Sequence, residues 1–110
     1  MRLASVTSVL LLIACNGLTP FDGATPFIEG PIISRPSAQV MVVEDDRPSA
    51  PTDCARTPQI GLGSEVEVYD GGSRKDTSAL TVGRRVSVFG TIGAVNSCPP
   101  HASARGVLLH

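Results

Sequence analysis

The sequence is poor in aromatic and basic residues, and this scarcity limits the functions that it can support. Its 110 residues include no Trp, one Tyr and three Phe, and 9 Lys and Arg stand against 10 Asp and Glu, a formal net charge of −1. Proteins that bind nucleic acid rely on basic surfaces that release counterions and on aromatic rings that stack on bases. With so little of either, we predict that the chain does not bind DNA or RNA.

The sequence also lacks an apolar run long enough to cross a bilayer. Residues 3–14 are mostly small or apolar, and only Arg2 carries a charge before Asp22. A helix needs about 20 apolar residues to span roughly 30 Å of hydrocarbon. A short apolar run behind one positive charge is typical of an export signal instead, so we predict a signal peptide at 1–14.

A cysteine closes this apolar run, in the segment Leu12-Ile13-Ala14-Cys15. A leucine three residues before a cysteine, with a small residue directly before it, resembles the lipobox of bacterial lipoproteins. In those proteins the thiol is alkylated by a diacylglycerol group, a peptidase cleaves before the cysteine, and the new amino group is often acylated. The resemblance predicts that Cys15 is lipidated. An ordinary signal peptide, or a buried strand that contains a cysteine, is the alternative.

Lipid on Cys15 implies a place in the bacterial cell envelope. Two or three acyl chains anchor a protein firmly to a membrane where one does not, and the domain then lies outside the cytoplasm. By the sorting rule of such lipoproteins, Asn16 favours the outer membrane if the cell has two membranes. The glycines, prolines and threonines of residues 15–26 show no helical or strand period, which predicts a flexible tether.

From residue 27 onward, apolar residues recur mostly at every second position, between glycines and prolines. This period is that of β-strands, whose side chains alternate between two faces. The stretch 45–59 is rich in proline and is predicted to be a loop. We predict strands at 27–34, 38–44, 64–70, 80–90, 91–97 and 103–109.

Five or six short strands in the domain 27–110 predict an all-β fold, a small, partly open barrel. Closure removes most of the exposed edges that a flat sheet presents. The core should be modest, because a domain of this size buries only about 60% of its unfolded surface. The alternation predicts that this core consists of Ile28, Ile32, Val40, Val42, Val66, Val68, Leu80, Val82, Val86, Val88, Ile92, Val107 and Leu109.

The closing part of the chain, residues 80–109, resembles a family of small bacterial lipoproteins of unknown function. The family pairs a Gly-Xaa-Xaa-Val-Xaa-Val strand with a Ser-Tyr-Pro-Pro-Gln-Ala segment and a final strand. The matching residues here are Gly83, Val86, Val88, Ser97, Pro99, Pro100 and Ala102, with Cys98 in place of the tyrosine and His101 in place of the glutamine. The resemblance implies an OB-fold-like barrel and the same envelope address, and it implies no chemistry.

Two cysteines remain once Cys15 is assigned to lipid. Disulfides persist in exported proteins, so we predict a bond between Cys54 and Cys98. It would close a loop of about 45 residues, which the chain-entropy estimate values at roughly 4 kcal/mol. The alternative is two free thiols.

The metal-binding patterns in the sequence are incomplete. Cys98 and His101 have the spacing of half a zinc site, but the only other histidine is His110. Residues 44–46 read Glu-Asp-Asp and lack both the ligand spacing and the glycine of a calcium loop, so a solvated loop is expected. We predict no metal and no other cofactor.

The catalytic patterns are equally weak. Glu65 and Glu67 share one face of a strand at roughly 7 Å, a separation at which carboxylate pairs cleave glycosidic bonds, but any half-exposed strand looks the same. Residues 61–64 hold two glycines without the helix of a phosphate loop. Tyr69 and Phe89 are either a stacking pair on a barrel face or packing residues.

These observations favour a binding or interaction module without catalytic residues. Its partner would be an envelope glycan, peptide or protein, and its anchor the membrane, through lipid on Cys15. A structural or assembly lipoprotein is the alternative, and an envelope hydrolase is less favoured.

Overall fold

Six strands and two single-turn 3-10 helices make up the protein in a computed structural model that describes residues 19–93 and 98–110. Nothing can be placed for the predicted signal peptide, Cys15 or residues 94–97, which lie outside this range. The 3-10 helices span Cys54–Arg56 and Thr77–Ala79. The strands are β1 (Ile28–Ser37), β2 (Val40–Val43), β3 (Gln59–Asp70), β4 (Ser73–Lys75), β5 (Arg85–Ile92) and β6 (His101–Leu109).

Five of the strands form a closed ring. β1 pairs antiparallel with β2 and β5, β2 with β3, and β5 with β6, while β3 and β6 are parallel. Numbered within the ring, the order is 1-2-3-5-4 and back to 1, which is the strand order of an OB-fold. β4 lies outside the ring and forms a hairpin with β3. The predicted all-β, OB-fold-like barrel is confirmed.

The strand β4 lies between the predicted strands 64–70 and 80–90, where the sequence analysis gives no strand. Gly71 and Gly72 have φ values of 61° and 90°, and they are the two residues between the paired Asp70 and Ser73. Positive φ at both central residues defines the type I′ turn that matches the twist of a two-residue hairpin. Because this turn needs only two residues, the next three residues form a strand.

The core lies inside the ring and follows the predicted alternation in most strands. The prediction is wrong for β2, because Met41 and Val43 are fully buried while Val40 and Val42 are only half-buried. A shift of one residue moves every side chain of a strand to the other face. The predicted residues that are buried are Ile28, Ile32, Val66, Val68, Leu80, Val86, Val88, Val107 and Leu109.

Two further differences between the predicted and the observed strands lie in segments that contain glycine. β3 begins at Gln59, five residues earlier than predicted, and buries Ile60 and Leu62. Gly61 interrupts the β-branched pattern there, which hides the first half of the strand. Val82 was expected in the core but is 62% exposed, because it lies in the turn before β5.

The residues just before β1 lie against the barrel. The ring of Phe21 stacks on that of Phe89, with centroids 5.2 Å apart and 15° between the planes, and meets the Tyr69 ring edge-on at 6.4 Å. Gly106 makes room for it, since a Cβ there would overlap the Phe21 ring. Within the described part of the predicted tether, Phe21 thus contacts the domain, whereas residues 22–25 are exposed. In the described range, no helix has the length and apolarity to cross a membrane.

Candidate functional site

The partners of β3 stop in the middle of the strand. On one edge, β2 pairs with residues 59–61 and β4 with residues 68–70. On the other edge, β6 pairs with 59–62 and 67–70. Residues 63–66 therefore have no ladder partner on either side within the described chain, and we call them the β3 gap.

Hydrogen bonds at the first half of β3 show which edge each backbone group faces. The N–H of Leu62 donates to the carbonyl of Gln39 before β2 at 2.7 Å, and the N–H of Gln59 donates to the carbonyl of Pro100 before β6 at 3.0 Å. Backbone groups of successive strand residues point to opposite edges. Even-numbered residues thus face the β2 edge, and odd-numbered residues face the β6 edge.

The same parity holds beyond the gap. Asp70 closes the two-residue hairpin with Ser73 and so faces β4, on the same edge as β2. Between these two stretches β3 is bulged. Leu62 lies opposite Ala104 and Glu67 opposite Gly106, so residues 63–66 stand against a single residue of β6.

Two open grooves meet at the gap, and both are lined by Gln39 and by residues 62–64 of β3. The clamp groove, of about 870 Å³, lies between the β1–β2 turn at Ala38 and Gln39 and the segment 74–78 of β4 and the second 3-10 helix. The Phe21 groove, of about 840 Å³, lies on the β6 edge beside Phe21 and Arg105. Both volumes are in the roughly 300–1,000 Å³ range of ligand sites.

Arg35 fixes the two walls of the clamp groove to each other. Its guanidinium donates to the carbonyls of Ala38 at 3.0 Å and Val40 at 3.2 Å on one wall. It also donates to the carbonyls of Thr77, at 3.1 Å, and Leu80 on the other. One half-buried cation thus holds four carbonyls, and a hydrogen bond to a charged group contributes a net of about 1.5–3 kcal/mol.

The predicted carboxylate pair does not form an acid–base site. Glu65 is exposed, whereas Glu67 accepts a hydrogen bond of 2.6 Å from the Tyr69 hydroxyl and lies 3.9 Å from Arg74. This bond, more than any other interaction, raises the pKa of Tyr69 above its ordinary value of 10.0. The arrangement ties Glu67 to the hairpin and leaves it without a partner carboxylate.

A serine–histidine pair lies elsewhere on the barrel, where the sequence analysis did not place one. The Oγ atom of Ser87 is 2.6 Å from the Glu29 carboxylate and 2.7 Å from Nε2 of His110. Ser87 donates to Glu29, whereas its contact with His110 has donor and acceptor roles that depend on the tautomer of the ring. Ser87 is 3% exposed, so the cluster joins β5 to β1 and to His110 below the surface.

The predicted disulfide partners lie together at the far end of the barrel. The Cα atoms of Cys54 and Cys98 are 5.6 Å apart, within the range that a disulfide requires. His101 is exposed at the start of β6. Over the residues that the structure describes, no group of three His, Cys, Asp or Glu side chains comes close enough to hold a metal ion.

The acidic segment 44–46 near this end is a loop, as expected, and Asp46 is exposed, but Asp45 is buried. Asp45 is 3% exposed, and both of its oxygens accept from the Arg47 guanidinium, at 2.9 and 2.8 Å. Arg47 also donates to the carbonyls of Pro26 and Phe27 at 3.2 and 2.7 Å. The side-chain hydrogen bonds from Arg47 outweigh burial and lower the pKa of Asp45 below its ordinary value of 3.8. Asp46 pairs with Arg85.

A small cavity of about 180 Å³ lies beside this ion pair. Its walls are mostly apolar and include Phe27, Pro51, Pro58 and Pro100. The long β2–β3 loop thus folds down over the end of the barrel instead of extending into solvent.

The sequence analysis missed the β3 gap and the Arg35 contacts. An Arg-Pro dipeptide near the end of a strand does not indicate contacts with carbonyls as distant in sequence as those of Thr77 and Leu80. The gap had a partial signal in Gly61 and Gly63, because glycine within a strand often marks a bulge. Comparison with protein-family models, with curated proteins and with solved structures finds no match to this chain.

Proposed function

We propose that this chain is a lipid-anchored protein of the bacterial cell envelope that works as a binding module, with the β3 gap as its binding surface. The observation that carries the proposal is the four-residue stretch 63–66 of β3, whose backbone has no ladder partner within the described residues and borders two grooves. Unsatisfied backbone groups in a sheet are ready-made donors and acceptors for another chain.

The shape of the grooves supports a chain-like ligand. Both are open along the strand, whereas small-molecule sites are concave and bury most of the ligand. OB-fold barrels in general bind oligomers across their second and third strands. That analogy concerns the fold alone, so the argument for this chain rests on the gap itself.

The lipid anchor in this proposal comes from the lipobox resemblance at Leu12-Ile13-Ala14-Cys15. Phe21, packed against the barrel, follows Cys15 by six residues, which span at most about 20 Å when extended. The Phe21 groove would then lie close to the membrane surface. A partner would have to reach it there, in the envelope.

Crosslinking in intact cells tests the binding surface. A photoreactive amino acid at Ser64 should give a discrete adduct, because this position is exposed and lies in the β3 gap. Thr52, exposed in the loop at the other end of the barrel, is the matched control and should give none. Equal labelling at both positions, or no adduct at Ser64, would refute the gap as a binding surface. An adduct of two copies of the chain would favour the structural or assembly alternative.

A separate variant tests the anchor. Cys15→Ser should leave the signal segment uncleaved and unlipidated, so the variant keeps residues 1–14 and should enter the detergent phase less completely than the lipidated wild type. Intact mass would show the loss of the acyl chains. An unchanged mass and unchanged partitioning would refute lipidation at Cys15.

A further inference from the structure

We infer that Phe21 is a latch, which holds the strap of residues 19–25 on the barrel and releases it while the barrel stays folded. The chain between Cys15 and β1 then has a docked and a released state, and the two states give the barrel a different reach from its anchor. The anchor at Cys15 rests on the proposed function, whereas the latch rests on contacts within the described residues.

The slot that receives Phe21 is shaped for a flat ring. The Phe21 ring stacks on Phe89 at 5.2 Å and meets Tyr69 edge-on at 6.4 Å. Beside the ring, Gly106 in β6 has no side chain, and a Cβ atom there would overlap the ring. A glycine within a strand weakens the strand and often marks a place where another group approaches closely. At Gly106 the group that approaches is Phe21.

Within the described residues, the strap has no hydrogen bond to the barrel. Its hydrogen bonds close a turn instead: the Thr19 N–H donates to the Asp22 carboxylate at 2.9 Å, and the Asp22 N–H donates to the Thr19 carbonyl at 3.2 Å. Residues 22–25 are exposed. Release of the strap therefore breaks none of these hydrogen bonds, and its main cost is the loss of the contacts of one aromatic ring.

The contacts of one ring allow both states to be populated. Full burial of a phenylalanine side chain favours the buried state roughly 10- to 150-fold at 25 °C. Because Phe21 is only half-buried, the docked state should exceed the released state on the order of tenfold. The buried core cluster begins at Ile28 and includes no residue of the strap. The core of the barrel therefore stays packed when the latch opens.

Release lengthens the free chain between the anchor and the barrel. Phe21 follows Cys15 by six residues, and Ile28, where β1 begins, follows it by thirteen. The root-mean-square length of a flexible chain grows with the square root of its residue number, so it rises from about 13 Å to about 20 Å on release. The fully extended limit rises from about 20 Å to about 45 Å. An open latch thus lets the barrel work farther from the membrane.

Two glycine variants of the full-length protein, purified in detergent, test the latch. Gly106→Ala places a Cβ atom where the Phe21 ring lies, and Gly63→Ala is the matched control, because a Cβ there meets nothing within 4 Å. Neither glycine has a positive φ, so alanine fits the backbone at both. We expect NMR order parameters of the strap amides above about 0.7 in the wild type and in Gly63→Ala, and below about 0.6 in Gly106→Ala.

Phe21→Ala removes the ring without changing β6, and it decides the test if Gly106→Ala does not fold. Its strap should be as mobile as that of Gly106→Ala. The amides of Val43 and Ile60, both fully buried in the core, should keep their chemical shifts because the barrel stays closed. Their hydrogen exchange through global unfolding should accelerate about tenfold, since a variant without the docked state loses the stabilisation that docking gives the folded protein.

Neutron reflectometry on a supported phosphatidylcholine bilayer measures the reach. With the protein anchored, the centre of the protein layer should lie about 5–10 Å farther from the bilayer in Phe21→Ala than in the wild type, which is the difference in chain length between the two states. An equal distance for the two proteins would refute the two settings of reach.

Three further outcomes would overturn the inference in distinguishable ways. A strap as mobile in the wild type as in Gly106→Ala would show that no docked state exists, and a strap that stays rigid in Phe21→Ala would show that the ring does not hold it. Loss of the folded core signals in Phe21→Ala would make the strap part of the fold. A protein that carries no acyl chains and leaves the bilayer would refute the anchor and the reach, while the order parameters still decide the latch.

Discussion

The start and the middle of β3 are held to the barrel in opposite ways. At its start, the chain before it is fixed by a buried ion pair, by a cysteine pair at disulfide distance and by bonds to the residues before β1. In its middle, four residues lack ladder partners in the described chain. The contrast shows that a small barrel can concentrate its stabilising contacts on one loop and leave backbone unpaired a few residues further on.

The largest expected effect comes from the cysteine pair at the fixed end. Replacing Cys54 and Cys98 together by Ser should lower the free energy of unfolding by about 4 kcal/mol, since the pair spans 44 residues of sequence. Chemical denaturation in non-reducing buffer measures this. The wild type in reducing buffer should unfold like the double variant. Free reaction of both thiols with an alkylating reagent in the folded, non-reduced protein would show that no bond exists.

The second largest loss of stability is expected from breaking the ion pair between Asp45 and Arg47. Arg47→Met leaves the buried Asp45 carboxylate without a counter-charge and removes two bonds to the carbonyls before β1. We expect a loss of about 3 kcal/mol in the free energy of unfolding, from the cost of an unpaired buried charge. Arg85→Met breaks the more exposed pair with Asp46 and is the control, with less than about 1 kcal/mol expected. Equal losses would mean that burial of Asp45 does not matter.

A smaller loss of stability is expected when the pH is lowered and Asp45 becomes protonated. The pKa of Asp45 is lowered by Arg47, so folding favours the ionised form. Its contribution to stability is complete above the ordinary pKa of 3.8 and is lost as the pH falls through the lowered value in the folded state. Between pH 5 and pH 2, Asp45→Asn should therefore lose less stability than the wild type does. Denaturation curves of the two proteins over this range, if parallel, would contradict the assignment.

The smallest change in stability is expected from a substitution within the β3 gap. Ser64→Pro should change the free energy of unfolding by less than about 1 kcal/mol, because no ladder hydrogen bond is lost. Ser87→Pro, in the fully paired β5, should lose about 3 kcal/mol or more. Thermal and chemical unfolding of both variants make the comparison. A large loss for Ser64→Pro would mean that the backbone of the gap is already bonded in the native protein.

The barrel could be predicted from the sequence because each strand carries its own pattern of alternating apolar residues. The buried face of a strand can be identified from residues that alternate within it, such as Val86 and Val88, or Val66 and Val68. This pattern does not depend on distant parts of the chain. In β2 the four successive residues Val-Met-Val-Val are all apolar, so alternation carries no information, and the inward face was assigned one residue out of step.

The candidate site could not be predicted from the sequence in this way. The β3 gap is defined by where β2, β4 and β6 end relative to β3, and those registers depend on distant parts of the chain. The contacts of Arg35 reach residues 42 and 45 positions away. Charge counts along the sequence give no sign of such a residue. The pairing of Cys54 with Cys98 was accessible because only two cysteines remained to be matched.

The four carbonyls held by Arg35 bear on the thermodynamics of binding. Because this one side chain fixes the β1–β2 turn against the second 3-10 helix, the width of the clamp groove is set before any ligand arrives. If the groove binds a ligand as proposed, the loss of conformational entropy on binding falls mainly on the ligand. In a preorganised site of this kind, ligands of different affinity differ mainly in how fast they leave and much less in how fast they enter.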